Sequence, residues 1–488
     1  MSKAATFVLA FLLVVLNSTY FFAQALCGTP SNELICLIRQ LYDRPGVTDV
    51  GLTLPNAAHR AHFDADFSKD ATALTASVGT ELTSLRLASP TSGILFVFDK
   101  SLGVVTRSTE SYGPILGERA ETIGRHRIFV AATYQYFPFS SLDGIDLKHV
   151  PAVYKHVDGL NHDATPRTPS DPQSPGDPPV ELEYITTANR IDLKVHQATF
   201  YATYGLTHRI DVSVAVPILD VHMGVDSVAT IVRETQIPQP LSPSSDPILQ
   251  RLYASTGPSR TCATTSPPCS GYFHYFDAQN PATSLTATFS NFRTATGIGD
   301  AVFRVKATVL RHERAAAALG ADVRVPSGDE KNFLGTGALG VKPFLSASYR
   351  ARISPHADIG YEFNGSSILA GDLLTGQEGR LPDQLFYSGG VDAGVTKKLT
   401  LAVDLLGQRF YRAPGLVQGP FVDVIGVSHP DVPQTSAIHR SFNMDDLAVG
   451  AKFSPFGNLL LTGNVQFKLD DGGLRAKVVP LVGISYIF

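Results

Sequence analysis

The chain contains no tryptophan and only four cysteines, and charged residues make up 17% of its 488 positions. Each scarcity excludes something. Lys and Arg number 40 against 44 Asp and Glu, so there is no basic surplus to neutralise phosphates, and a nucleic-acid partner is not expected. Beyond the N-terminus, no run approaches the ~20 uninterrupted apolar residues of a membrane helix. No G-x-S-x-G nucleophile motif occurs, and the histidines that would complete a zinc site with either cysteine pair are missing. At 44% apolar the chain is not disordered. A large β protein remains, and the question is which way its apolar residues face.

The two ends are informative. Lys3 followed by the apolar run 4–16 and the small-residue site Ala23-Gln24-Ala25 reads as an export signal over residues 1–25. Export makes two local disulfides the economical pairing of the cysteines, Cys27 with Cys36 and Cys262 with Cys269. At the other end, 477–488 read KVVPLVGISYIF. An alternating strand ending on an aromatic is similar to the closing strand of outer-membrane barrels, which implies delivery to the barrel-assembly machinery through Phe488.

The same alternation recurs upstream. Ala301, Phe303, Val305, Ala307 and Val309 oppose Asp300, Arg304, Lys306 and Thr308; Leu399, Leu401, Val403 and Leu405 oppose Thr400, Asp404 and Gln408. Successive strand side chains point to opposite faces, so each segment has one apolar and one polar side. Twelve such strands run from Arg127 onward, most of about 9–11 residues, the length a tilted strand needs to cross a bilayer. Short links (206–209, 311–315, 351–355, 396–398, 454–458) alternate with longer ones (140–185, 221–296, 327–339, 365–385, 411–445). With Phe488 in the periplasm, the long loops fall outside, as such barrels require.

The expected fold is therefore all-β: a transmembrane antiparallel β-barrel of 12 strands in the bacterial outer membrane, covering 126–488. Short candidates at 94–98 and 104–108 leave 14 strands as an alternative. Residues 26–125 precede the barrel as a periplasmic segment, a lumen plug or that extra hairpin. Residues 32–43 read as a short amphipathic helix, and the Pro-rich 167–179 as an external loop.

The polar faces supply the site. Arg304, Lys306, Arg324, Lys342 and Arg350, with Asp300, Asp322, Asp358, Glu362, Asp392 and Asp404, are expected to face the interior. In hydrocarbon each would cost about 2–4 kcal/mol at mid-depth. They either line a water-filled pore or pair into a network that closes the barrel. His356 and Asp358 share this face and could form an acid–base pair; wetting of the lumen is the simpler reading. Gly335 to Gly340 matches G-x-G-x-x-G but leads into a strand rather than a helix, so it reads as a loop. The acidic turn 327–330 lacks the ligand ladder of a calcium loop. No metal and no cofactor are expected.

Three stretches, YGLTHRIDVSVAVP (204–217), GIGDAVFRVK (297–306) and DVRVPSGDEKNFLGTG (322–337), resemble the outer-membrane family named for the meta-cleavage pathway of phenol degradation, near the channels for fatty acids and aromatic hydrocarbons. The likeness covers roughly 190–488. It implies a barrel and passive passage of small hydrophobic or aromatic solutes, with outer-membrane lipid as surroundings; it carries over no ligand residue. Two other functions stay open: a structural or export-associated surface scaffold, and a barrel-embedded hydrolase using His356 and Asp358.

Overall fold

The computed structural model describes residues 27, 31–42, 52, 54–55, 63, 66–85, 96–99, 104–107, 111–155, 184–232, 274–277, 279–280, 283–373, 375–423 and 427–488. The expected signal peptide, the pair Cys262 and Cys269, and the Pro-rich stretch 167–179 lie outside the described residues.

Twelve strands close on themselves. They are β1 (Ile128–Leu142), β2 (Tyr184–Gly205), β3 (Ile210–Val232), β4 (Ala301–His312), β5 (Ala315–Val325), β6 (Gly340–Tyr349), β7 (Ile353–Asn364), β8 (Gln384–Thr396), β9 (Leu399–Val422), β10 (Ser428–Phe453), β11 (Leu459–Lys468) and β12 (Val478–Ile487). Each pairs antiparallel with its neighbours in chain order, and β1 joins β2 on one side and β12 on the other. Closure of the twelve strands satisfies their backbone across the membrane without water. An upper strand, Thr286–Ile298, pairs with the outer half of β3, while β4 pairs with Ile210–Ala215 below it. The candidates near 94–98 and 104–108 pair only with each other, as Phe96–Asp99 and Val104–Arg107. They add nothing to the wall, so the barrel has twelve strands and not fourteen.

Apolar side chains face outward across the middle of the wall. Phe303 is 42% exposed, Leu401 47% and Leu461 43%, while Asp404 on the opposite phase is 1% exposed. Exposed Tyr134, Phe363 and Tyr411 mark one rim of this belt; Tyr204, Tyr349, Tyr486 and Phe488 mark the other. An apolar belt between aromatic girdles on a closed barrel is the architecture of the bacterial outer membrane, and the protein is an outer-membrane barrel.

Several strands run well past the belt. The loop expected over 411–445 is instead a continuation of β9 and β10, paired as far as Val422 and Ser428. Likewise β3 continues to Val232 and β2 begins at Tyr184, so the connections expected over 221–296 and 140–185 are strand at their ends. Polarity inverts where the strands leave the membrane. On β2 the outward set changes from Ala198, Phe200 and Tyr204 to exposed Arg190 and Asp192, while the inward set changes from Gln197, Thr199 and Thr203 to buried Ile191, Leu193 and Val195. Above the bilayer the outside meets water and the inside needs a core.

The N-terminal region supplies that core. The helix α1 (Asp66–Ser84), the turns Leu34–Cys36 and Arg39–Tyr42 and the link between those turns contribute Leu34, Ile38, Leu74 and Val78 to one cluster with Leu193, Val221 and Val225. Each fully buried chain of this kind is worth about 1.5–3 kcal/mol. The amphipathic helix expected over 32–43 is thus two tight 3-10 turns. Leu34, Ile35, Cys36, Leu37, Ile38 and Leu41 are all buried, while Asn32 at the start of the segment is exposed. The disulfide joins Cys27 to Cys36. Arg293 on the upper strand donates to Glu33 O at 2.6 Å, and Leu34 N donates to Asn332 Oδ1 at 3.2 Å. These contacts hold the start of the described chain at the outer end of the barrel.

Candidate lumen site

Residues 111–123 run through the interior without regular secondary structure, and every one is buried. Their backbone polar groups have no helix or sheet ladder, so the wall must satisfy them. Two buried lysines do much of this. Lys306 on β4, 0% exposed, donates to Glu118 Oε1 at 2.8 Å, Arg119 O at 2.7 Å and Glu121 O at 3.0 Å. Lys452 on β10 donates to Pro114 O at 2.5 Å and Tyr112 O at 3.4 Å. Going the other way, Glu118 N donates to Asp358 Oδ2 at 2.8 Å, Ile123 N to Asp211 Oδ2 at 2.9 Å and Tyr112 N to Thr400 Oγ1 at 3.0 Å. The segment ends at the short-turn side, where Thr122 Oγ1 donates to His208 O and His126 N to Gly205 O. These contacts lie between residues 111–123 and inward-facing side chains of the wall.

Most of the charges pair, and the rest are hydrogen-bonded, rather than lining a bare pore. Arg304 donates to Asp322 Oδ1 at 2.6 Å and to Glu118 Oε2 at 2.5 Å. Lys342 reaches Asp322 at 3.2 Å, and Arg324 reaches Glu362 at 3.4 Å. Arg119 from the lumen segment donates to Asp392 Oδ2 at 3.0 Å, and Ser111 donates to the same carboxylate. Asp404 lies 2.8 Å from His356 Nε2. Asp300 accepts from Thr336 N at 2.8 Å and Gly328 N at 3.1 Å, which pins the external loop 326–339. In the wall's low-dielectric interior, removing one partner of such a pair costs about 3–5 kcal/mol.

Among the interior candidates only Arg350 lies apart. β6 ends at Tyr349, so Arg350 falls in the short turn and donates to Glu313 O of the adjacent turn at 2.7 Å. The pairing of His356 with Asp358 is not formed. His356 sits between Asp392 at 3.4 Å and Asp404, while Asp358 takes Glu118 N and Ser388 Oγ. Gly390 stands opposite both His356 and Asp404 in the sheet register. A Cβ there would collide with both side chains, so the bare glycine lets the imidazole reach across one strand. Gly335 to Gly340 leads directly into β6, as its sequence implied.

Sequence reasoning kept a lumen plug within 26–125 as one alternative but did not single out residues 111–123, and it left Lys452 out of the site. Lys452 was findable, since it opposes Val449, Ala451 and Phe453 in phase. The lumen segment carries no periodic signal at all.

Above this segment lies a cavity of about 140 Å³. Leu116 and Glu118 line it from the lumen segment, Leu82 and Leu85 from α1 and the residue after it, and Arg304, Arg324, Lys342, Phe344, Asp358 and Phe386 from the wall. Arg304 stacks over the Phe344 ring at 4.9 Å and Lys342 over the Phe386 ring at 5.3 Å.

No protein-family model and no curated protein matches the chain. Among solved structures it is similar to an outer-membrane channel from Pseudomonas putida F1, at 10% identity and a TM-score of 0.37 over 76% of this chain and 98% of that one. It is also similar to the toluene transporter TodX of P. putida, at 10% identity and a TM-score of 0.30 over 74% and 90%. A third is a Pseudomonas aeruginosa FadL homologue, at 11% identity and a TM-score of 0.29 over 75% and 91%.

Proposed function

We propose that the protein is an outer-membrane channel that lets small hydrophobic or aromatic solutes pass down a concentration gradient, with residues 111–123 as its gate. The observation that carries this reading is the cavity inside the closed wall. At about 140 Å³ it is close to an apolar cavity of ~150 Å³ that accommodates benzene. Its walls combine Phe344, Phe386 and several leucines with eight charged side chains, so apolar surface for a ring stands beside polar groups that can fix its orientation. Most interior charges are held in ion pairs, and Asp300 and Asp358 are held by hydrogen bonds, so the path is narrow and gated rather than a wide aqueous pore. The resemblance of 204–217, 297–306 and 322–337 to the phenol meta-pathway family agrees with this, and membership of that family is part of the proposal. The test is uptake of radiolabelled toluene by intact cells with and without the protein. Faster uptake with the protein supports the reading, and equal rates reject it.

A surface scaffold is the second reading. The extension of β2, β3, β9 and β10 beyond the belt around their own apolar core favours it. Cells that keep a surface phenotype but show no solute uptake would select it. The hydrolase reading loses its acid–base pair to the contacts of His356.

A further inference from the structure

Three side chains that line the cavity are deeply buried and carry polar atoms without hydrogen-bond partners. Arg324, 7% exposed, has Nε and Nη1 unmet; Asp358, 5% exposed, has Oδ1 unmet; Gln384, 1% exposed, has Oε1 unmet. Leaving such a group dry and unpaired costs about 1–3 kcal/mol, more for a charged one, so each calls for an occupant. The unmet donors and acceptors lie at different depths. Arg324 sits beside Glu362, which is four residues along β7 from Asp358, so the backbone positions are roughly 13 Å apart at about 3.3 Å per residue and the side chains reach into the space between. Phe344 and Phe386 both pair with Gly360, between these levels, and both line the cavity.

The charge balance selects the chemistry further. Glu118, Asp322 and Glu362 are covered by Arg304, Lys306, Lys342 and Arg324, whereas Asp300 and Asp358 have no cation within ion-pair distance among the described residues. Four cations against five carboxylates leave one negative charge in excess. A carboxylate ligand would add a second. A plain hydrocarbon would leave Arg324 and Asp358 unmet. A neutral ring with hydroxyls on opposite sides meets both, accepting from Arg324 at one end and donating to Asp358 at the other. Such a ring, with a hydrogen bond of about 2.8 Å at each end, spans roughly 11 Å. Its electron-rich face also suits the guanidinium and ammonium groups already stacked on Phe344 and Phe386.

We propose that this cavity is a binding subsite for neutral, dihydroxylated single-ring aromatics. The proposal rests on the channel reading and names its solute class.

The experiment is equilibrium dialysis of the purified full chain in detergent against radiolabelled hydroquinone, toluene and benzoate, with protein-free detergent subtracted. Hydroquinone should bind saturably at one site, at least tenfold tighter than the other two. Arg324→Met should weaken it at least tenfold, Arg324→Lys less, and Asp358→Asn should weaken it while leaving toluene the poorer ligand. The heat-dependent shift in gel mobility reports whether each variant is folded. The wild-type ranking needs no variant, so misfolding cannot rescue the idea. Equal binding of hydroquinone and toluene, tighter benzoate, or no saturable binding overturns the proposal. Saturable hydroquinone binding without solute uptake by cells would instead refute the channel and leave the subsite standing.

Discussion

Lys306 is the residue whose loss should do most to release the lumen segment. It is fully buried, and its ammonium serves the Glu118 carboxylate and the carbonyls of Arg119 and Glu121 together. Lys306→Met keeps the length of the side chain and removes all three donors. Glu118 keeps Arg304 at 2.5 Å, but the two carbonyls are stranded in a dry site. Breaking a buried pair from one side costs about 3–5 kcal/mol. With docked and released forms of the segment in equilibrium, a change of that size shifts their ratio roughly 100- to 4,000-fold, at about 1.4 kcal/mol per tenfold. The assay is single-channel recording in planar bilayers, where the variant should show far more frequent or longer openings than wild type. Lys477→Met, which removes an exposed cation, is the control and should leave the openings unchanged. A folded Lys306→Met protein that gates like wild type would refute the idea that this lysine latches the segment.

Two further outcomes follow from local geometry. A Cβ at Gly205 would collide with the carbonyl of Gly124 at the hinge between the lumen segment and β1; Gly205→Ala should cost about 1–3 kcal/mol of overpacking, seen as a lower temperature for the heat-dependent gel shift. In the outer hairpin, burial raises the pKa of Asp470, whose carboxylate accepts from Asp445 N at 2.7 Å. The folded-state pKa lies above the unfolded one, so stability is greatest below the unfolded pKa and is lost as pH rises through the folded value. Asp470→Asn should abolish that loss, read as slower amide exchange at Asp445 in the variant at neutral pH; equal exchange would contradict the assignment.

The wall was legible because lipid imposes a strict condition on every second residue. Phe303, Leu401 and Leu461 had to be apolar where Arg304, Asp404 and Thr462 did not, and the phase gave both faces at once. The same rule failed above the membrane. There the outward residues of β2, such as Arg190 and Asp192, are polar and the inward ones apolar, so a strand continuing past the belt no longer presents the expected face. Within 411–445 this inversion looked like a loop. Residues 111–123 were not legible for a different reason. Their order comes from wall side chains on distant strands, such as Lys306 and Lys452, and no local pattern encodes such partners. His356 and Asp358 share a face, yet register decided their partners: Gly390 opens the way to Asp404, and the Glu118 amide claims Asp358. The link between Cys27 and Cys36 was readable from spacing and export alone.

The absence of tryptophan allows a direct test of which side faces lipid. A single tryptophan placed at Leu401, on the belt, or at Phe344, inside the wall, is then the only one in the protein, and bilayers of brominated lipid quench a fluorophore that touches the acyl chains. Leu401→Trp should lose most of its emission in such bilayers, while Phe344→Trp should keep it. Strong quenching at position 344 with a shielded fluorophore at 401 would mean that the barrel is inside out with respect to this account.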